Sequence, residues 1–148
     1  MKTLKAWFED YSSYHQTQGN RHTHTIGIPL IVVSVLGFFA KVFNFPVHLF
    51  DLKLSLDGGQ FLWVLSTIWY LRFDKKLSVP FVMLTYLAYL LGQNLSGIFL
   101  TVFFVLGWVF QLVGHSVFEK KSPAFTKNLE HLLIGPLWVF AKWTRYQA

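Results

Sequence analysis

The chain contains no cysteine and few charged residues. Of its 148 residues, 13 are Lys or Arg and 7 are Asp or Glu, so 14% are charged, against about 25% in an average soluble domain. Without cysteine there can be no disulfide, zinc–thiolate site, iron–sulfur cluster or thiol nucleophile. Because carboxylates are also scarce, a metal site here must be rich in histidine, which suits iron, zinc or copper better than magnesium or calcium.

Charges are also absent from two long runs. Residues 22–40 and 77–118 contain no Lys, Arg, Asp or Glu, and 53% of the chain is hydrophobic. A soluble domain of this length has too little interior to bury such runs. The composition therefore predicts a single domain, residues 1–148, embedded in a lipid bilayer. The net charge is +6, and the basic residues lie between the apolar runs. Contact with lipid headgroups explains this distribution better than binding to nucleic acid does.

The hydrophobic pattern predicts an all-α integral membrane protein with about four transmembrane helices. An amphipathic stripe over residues 4–15 is typical of an N-terminal helix lying in the membrane interface. The letters QGN at 18–20 predict a break after it. Spanning helices are predicted over residues 25–43, 60–71, 79–91 and 95–117, and the second is short for a bilayer.

Three further segments separate or follow these helices. Residues 44–59 read as a mixed loop that ends in a glycine pair, and GQN at 92–94 reads as the hinge of a helical hairpin. Residues 119–131 are polar. The last apolar stretch, 132–143, is short and contains Pro136, so it is predicted to be re-entrant or interfacial.

The distribution of Lys and Arg predicts the orientation in the membrane. Their numbers alternate from loop to loop as high, low, high, none and high, which by the positive-inside rule places both termini in the cytoplasm. That topology brings five histidines to the cytoplasmic face: His15, His22, His24, His115 and His131. The compactness of the chain favours a bacterial inner membrane, with the endoplasmic reticulum as the location if it is eukaryotic.

Spacing sorts the N-terminal histidines. His15 and His24 are nine residues apart and would point to opposite faces of one continuous helix, but a break at 18–20 lets both face one centre. His22 and His24 cannot share a helical face, so His22 is predicted to be a bystander. The alternative is that all of them are ordinary polar residues at the membrane interface.

A second polar stripe lies near the end of the last predicted span. Gln111, His115 and Glu119 are four residues apart and fall on one helical face. One interpretation is a hydrogen-bonded row that eases the helix out of the lipid. The other is a metal ligand at His115, with Gln111 or Glu119 as the partner that orients its ring. The spacing alone does not choose between them.

Two spaced motifs resemble the family of membrane 2-hydroxy fatty acid dioxygenases. The first, Y-x3-H-x4-N-x3-H-x4-P, begins at Tyr11, and the second, GW-x2-Q-x2-GH-x2-FEK-x-x-PA-x3-NL, covers residues 107–129. The resemblance implies an Fe(II)-dependent enzyme of fatty acid α-oxidation. Such an enzyme uses O2 to shorten a long-chain 2-hydroxy fatty acid by one carbon.

The resemblance also implies roles for individual residues. Matching positions give His15, His24 and His115 as metal ligands. His131 and His22 do not match fixed histidines of the family, and the sequence leaves open whether either is a fourth ligand. Three neutral imidazoles would leave about three positions of an octahedral shell open for the substrate and O2. The polar residues that would orient the ligands or the substrate head are Gln111, Glu119 and Asn20.

Two other functions compete with this one. The protein could bind haem between helices, with His24 and His115 as axial ligands, or it could be a non-enzymatic scaffold or small transporter with interfacial histidines. The dioxygenase interpretation predicts a long-chain 2-hydroxy fatty acid, O2 and the lipid bilayer as partners, and no nucleic acid. The sequence predicts neither the oligomeric state nor the chain length of the substrate.

Overall fold

The computed structural model describes residues 2–49 and 52–146, with side chains for all of these except 45, 47–49 and 52–55. The fold is helical, as predicted. The α-helices in these ranges are α1 (Leu4–Ser13), α2 (Gln18–Val42), α3 (Gly58–Tyr70), α4 (Lys75–Asn94), α5 (Gly97–Val113) and α6 (His131–Trp143). A π-helical turn, Gly114–Glu119, continues α5, and a 3₁₀ turn, Ala124–Thr126, precedes α6.

Helix α2 is the centre of the bundle and contacts α3, α4, α5 and α6. Helix α6 packs against α1 and α2, and its Ile134 and Leu137 side chains are fully buried in the hydrophobic core. The segment predicted as 132–143 is thus a helix whose inner face forms part of the core. It holds α1 against the bundle, and with it the short segment after α1 that carries His15.

Residues 44–59 are not the irregular loop that the sequence predicted. Strands β1 (Asn44–Leu49) and β2 (Leu52–Asp57) pair antiparallel, and the glycine pair forms the first turn of α3. The helix begins there because Asp57 caps it. The Asp57 carboxylate accepts the Gln60 backbone N–H at 2.8 Å, and the Gln60 side-chain oxygen accepts the Asp57 N–H at 3.1 Å.

The predicted break at QGN, residues 18–20, is also wrong. The chain leaves helical geometry earlier, over residues 14–17, which we call the linker, and α2 already begins at Gln18. Gly19 is inside the helix because of packing, not flexibility. A Cβ at Gly19 would lie 2.3 Å from the Phe118 ring, so only glycine lets the π-helical turn approach α2 this closely.

The hinge predicted at GQN, residues 92–94, is wrong for the same reason. These residues form the last turn of α4, and the reversal between α4 and α5 uses residues 95–96 instead. Gly92 faces α2, where an added Cβ would lie 2.4 Å from the Val33 carbonyl oxygen. Both glycine-containing triplets therefore lie where two helices are in close contact. Their local composition is the same as that of a turn.

Two helices in the described ranges are long and apolar enough to cross a membrane: Gln18–Val42, and α5 with its π-helical turn, Gly97–Glu119. Helix α3 has 13 residues and is short for a span, as predicted. Helix α4 has 20 residues but includes the polar sequence at its N-terminus. Two of the four predicted spanning helices therefore have the expected length and composition.

Candidate metal centre

Three buried histidines from three parts of the chain meet in the core. His15 lies in the linker, His24 on α2, and His115 in the π-helical turn, and one ring nitrogen from each lies within 4.8 Å of the others. Their exposed fractions are 1%, 1% and 3%, so water does not screen the group. Three convergent imidazole nitrogens at this spacing can hold one metal ion.

Hydrogen bonds to the backbone fix two of the rings. Nδ1 of His15 lies 2.7 Å from the Tyr11 carbonyl oxygen, and Nδ1 of His24 lies 2.9 Å from the Asn20 carbonyl oxygen. A carbonyl only accepts, so each Nδ1 carries the proton and each Nε2 keeps its lone pair. Metal-binding histidines are commonly oriented in this way.

The environment of His15 keeps it neutral. Burial lowers the pKa of its imidazole to about 4, and the ring stacks on Tyr11 with centroids 4.1 Å apart. Its buried Nε2 has no hydrogen-bond partner among the described residues. An unpartnered neutral nitrogen beside two other imidazoles is the donor that a metal ion requires, so the residues fit such an ion.

The π-helical turn separates the stripe that the sequence predicted. Its hydrogen bonds span five residues instead of four, which widens the turn and rotates the side chains that follow. Gln111 and His115 line the same cavity, whereas Glu119 turns toward the linker. In the described residues neither Gln111 nor Glu119 hydrogen-bonds the His115 ring, whose Nδ1 has no partner. The interpretation in which one of them orients this ring therefore has no hydrogen bond to support it.

Glu119 holds the linker in place. Its carboxylate accepts the backbone N–H groups of Gln16 and Thr17, each at 3.0 Å to Oε2, together with the Thr17 hydroxyl at 3.0 Å. The residue is only 7% exposed. A buried anion at the N-terminus of α2 is stabilised by these donors and by the helix dipole. Glu119 thereby fixes the path between His15 and His24.

Asn20 links the same three elements. Its side-chain N–H groups donate to the Tyr14 carbonyl and to Glu119 Oε2, both at 3.1 Å, while its own backbone carbonyl orients His24. The residue is fully buried. Asn20 therefore positions the histidines and has no contact with the cavity beside them.

A cavity of about 240 Å³ adjoins the three histidines. Its wall is mainly apolar and includes Ile31 and Val35 of α2, Phe104 and Trp108 of α5, and Pro136 of α6. The main polar group besides the histidines is Gln111, whose buried Nε2 has no hydrogen-bond partner in the described residues. The site therefore suits a ligand with a polar head and an apolar tail.

The two other candidate histidines stand apart from the group. His22 is exposed on α2, as its spacing predicted. His131 is buried and borders the cavity, but its Nε2 lies 3.1 Å from the Asp10 carboxylate. No local pattern predicted Asp10 as its partner, because the two residues are 121 positions apart.

Sequence comparisons agree with the two motifs. The chain matches, over residues 1–146, the family described as 2-hydroxy-palmitic acid dioxygenase Mpo1-like. It is 29% identical over 141 residues to a Saccharomyces cerevisiae protein named 2-hydroxy-palmitic acid dioxygenase MPO1, covering 92% of this chain and 76% of the yeast protein. No solved structure matches the chain.

The family match extends over nearly the whole chain and includes both motifs that surround the histidine group. The matched region thus contains His15, His24 and His115 together with the cavity beside them. The resemblance that the motifs indicated is confirmed: the chain belongs to the 2-hydroxy-palmitic acid dioxygenase Mpo1-like family.

Proposed function

We propose that this protein is an Fe(II)-dependent dioxygenase that uses O2 to shorten long-chain 2-hydroxy fatty acids by one carbon. The observation that carries the proposal is the group of three buried histidines beside an apolar cavity with an unpartnered amide. The family and the name of the yeast relative support the same substrate class.

Iron is the metal that best fits both the ligands and the reaction. His15, His24 and His115 would hold it, and the group that they form contains no thiolate or carboxylate. Imidazoles suit iron, copper and zinc, but zinc has no redox chemistry, and family membership points to an oxygenase. Bound Fe(II) would supply the redox chemistry that allows O2 to oxidise the substrate.

The reaction balances without another reductant. A 2-hydroxy acid, RCH(OH)CO2H, and O2 give the shortened acid RCO2H, CO2 and water. The chain's own residues bind and orient this substrate. The Gln111 amide would donate to the carboxylate head, and Ile28 and Val32 would contact the first part of the acyl chain. The buried histidines exclude bulk water from the head group.

The protein would act in a membrane, with its histidine group at the cytoplasmic face. Helices α3, α4 and α5 expose many large apolar side chains that a soluble protein would bury. These include Phe61, Val64, Leu65, Ile68, Met83, Leu87, Leu91, Ile98, Phe99, Val102, Val105, Leu106, Val109 and Leu112. Contact with lipid accounts for all three faces, which favours four helices in the bilayer.

The geometry argues against the haem alternative. The His24 and His115 rings meet edge to face with centroids 4.8 Å apart. Two axial ligands must stand on opposite sides of a porphyrin, and these rings leave no space for one between them. A passive scaffold is disfavoured for another reason. Buried nitrogens without partners on His15 and His115 cost about 1–3 kcal/mol each, with no benefit unless they bind something.

Metal content tests the proposal directly. Protein purified without oxygen and reconstituted with Fe(II) should contain about one iron per chain by elemental mass spectrometry. His15→Ala, His24→Ala and His115→Ala should each lose it, while the matched control His22→Ala, an exposed histidine on α2, should retain it. Metal-free wild-type protein after reconstitution would contradict the assignment.

Turnover tests the second half of the proposal. Wild-type protein given 2-hydroxyhexadecanoic acid and O2 should release the acid that is one carbon shorter, and hexadecanoic acid should not react. If the iron-loaded protein consumes no 2-hydroxy acid, the protein binds a metal but has another activity, and the proposed reaction is wrong.

A further inference from the structure

A second cavity lies on the other side of α2, between α2, α4 and α6. Its volume is about 290 Å³, and its walls are almost entirely apolar, with Phe81, Leu84, Ala88 and Val139 among them. The hydroxyl of Thr85, a polar group in its wall, already donates to the Val82 carbonyl at 2.9 Å. The chemistry that this cavity can recognise is therefore a hydrocarbon chain.

The two cavities share a wall. Ile28, Val32 and Pro136 line both of them, so one layer of side chains separates the space beside the histidines from the second cavity. Pro29 on α2 and Pro136 on α6 each lack the N–H that would bond the carbonyl four residues earlier. Both helices can therefore bend at the level of the wall.

Helices α2 and α5 are in close contact at two levels. A Cβ at Gly107 would lie 2.6 Å from Ile31 Cγ1, and one at Gly37 would lie 2.6 Å from Leu100 Cδ2. Backbone and side chains are in contact on this side at both levels. A tail too long for the first cavity therefore needs further space, and the second cavity offers apolar space directly across the shared wall.

The volumes favour use of both cavities. Small-molecule sites usually measure roughly 300–1,000 Å³. Each cavity alone, at about 240 and 290 Å³, falls below this range, and the first must also accommodate the polar head. Joined across the shared wall, they reach the size that a long-chain ligand requires.

We propose that the acyl tail of the 2-hydroxy acid passes the wall of Ile28, Val32 and Pro136 into the second cavity, which sets the chain length that the protein accepts. This inference rests on the proposed function. The second cavity also opens at the outer surface, since Leu87 and Leu91 line it and are more than half exposed. A hydrocarbon chain from a bilayer lipid could enter there, so the experiment must distinguish the two sources.

Filling the second cavity tests the proposal. In Ala88→Phe, kcat/KM for 2-hydroxyhexadecanoic acid should fall at least about tenfold, as expected when apolar pocket contacts are lost, while 2-hydroxyoctanoic acid should react as before. Turnover of the short acid also shows that the variant is folded, and Ala88→Leu should give a smaller shift of the same sign. Met83→Phe, on the exposed side of α4, is the matched control and should change neither rate.

Filling the first cavity gives the opposing arm. Val35 lines the first cavity and not the second. If Val35→Phe shifts the chain-length preference and Ala88→Phe does not, the tail runs along α5 and the proposal is wrong. If wild-type protein converts no 2-hydroxy acid of any length, the proposed function fails instead.

Photolabelling identifies the occupant. A 2-hydroxy acid with a diazirine at the end of its tail should label α4 and α6, and unlabelled 2-hydroxyhexadecanoic acid should prevent this labelling. Labelling of α5 alone would overturn the proposal. A diacyl phospholipid probe that labels the cavity and resists displacement by the 2-hydroxy acid would assign the cavity to a bilayer lipid.

Discussion

The carboxylate of Glu119 accepts the backbone N–H of Thr17 at 3.0 Å, although 102 residues separate them. This contact joins the end of the π-helical turn to the linker. His15 lies two residues before Thr17, and His115 lies four residues before Glu119. This carboxylate therefore helps to set the distance between the N-terminal and C-terminal halves of the histidine group, together with the packing of Phe118 on Gly19.

Replacing Glu119 should weaken metal binding without removing a ligand. In Glu119→Ala, the donors of Gln16 and Thr17 lose their acceptor, and the linker can move away from His115. Loss of such an outer partner typically lowers metal affinity about 10–100-fold. Titration of the metal-free protein with Fe(II) or Co(II) measures this affinity.

Two variants separate this positioning role from a general loss of stability. Glu119→Gln retains an acceptor oxygen, so its affinity should lie between those of the wild type and Glu119→Ala. Glu9→Ala removes an exposed carboxylate and should leave the affinity unchanged. An unaltered metal affinity in folded Glu119→Ala would show that the contact between Glu119 and the linker does not position the histidines.

His131 should not be a fourth ligand. The reason is its position: it does not belong to the group of three whose ring nitrogens lie within 4.8 Å of one another, although its Nε2 is bonded to Asp10 at 3.1 Å and its buried Nδ1 has no partner among the described residues. We therefore expect His131→Ala to bind about one iron per chain after reconstitution, as measured by elemental mass spectrometry. Loss of the iron from folded His131→Ala would instead add this histidine to the ligand set.

Much of the fold follows from local patterns in the sequence. The periodicity of 4–15 predicted α1 nearly to its ends, because that helix buries one apolar face. The apolar run at 132–143 predicted the extent of α6 but described it as a re-entrant or interfacial segment, not as a helix with a face in the core. The paired strands 44–49 and 52–57 were missed, although LKLSLD at 52–57 alternates strictly between apolar and polar residues. The first strand contains Pro46, and a proline weakens a strand prediction.

The predicted breaks at 18–20 and 92–94 failed for a different reason. Glycine is favoured both in turns and where two helix backbones touch, and a single sequence does not show which condition applies. Gly19 packs against Phe118, and Gly92 packs against Val33. Both partners lie far away in the sequence. The two triplets therefore showed that glycine is needed at these positions, but they could not show which residue packs against it.

The packing role of Gly92 predicts a stability effect. In Gly92→Ala, the new methyl would lie 2.4 Å from the Val33 carbonyl oxygen, and a helix backbone cannot move aside cheaply. Overpacking of this kind costs about 1–3 kcal/mol, measurable by denaturant unfolding in detergent. Gly97→Ala is the matched control, since its Cβ would meet nothing within 4 Å. Equal stabilities would show that the close contact between α4 and α2 does not require glycine at position 92.

The histidine group shows the same division between local and long-range information. The motifs identified His15, His24 and His115, and the spacing predicted that His22 stands apart from them. The four-residue stripe placed Gln111 and Glu119 beside His115 because it assumed a regular α-helix. The π-helical turn Gly114–Glu119 changed that geometry, and nothing in a count of spacings indicates a π turn.

Gln111 should bind the substrate head. Its buried Nε2 has no partner in the described residues and lines the cavity beside His115, so a substrate carboxylate would satisfy it. In Gln111→Leu, of similar size, the lost hydrogen bond to a charged group is worth about 1.5–3 kcal/mol. This corresponds to a KM roughly 10- to 100-fold higher, with the iron content unchanged.

A second substitution at Gln111 distinguishes hydrogen bonding from simple space filling. Gln111→Glu keeps the shape but places a carboxylate against the substrate carboxylate, so it should raise KM further than Gln111→Leu does. Steady-state kinetics with 2-hydroxyhexadecanoic acid, at matched iron content, measures both. If Leu and Glu at this position leave KM at the wild-type value, the head group is held by another residue, and the unpartnered Gln111 amide serves only the packing of α5 against α2.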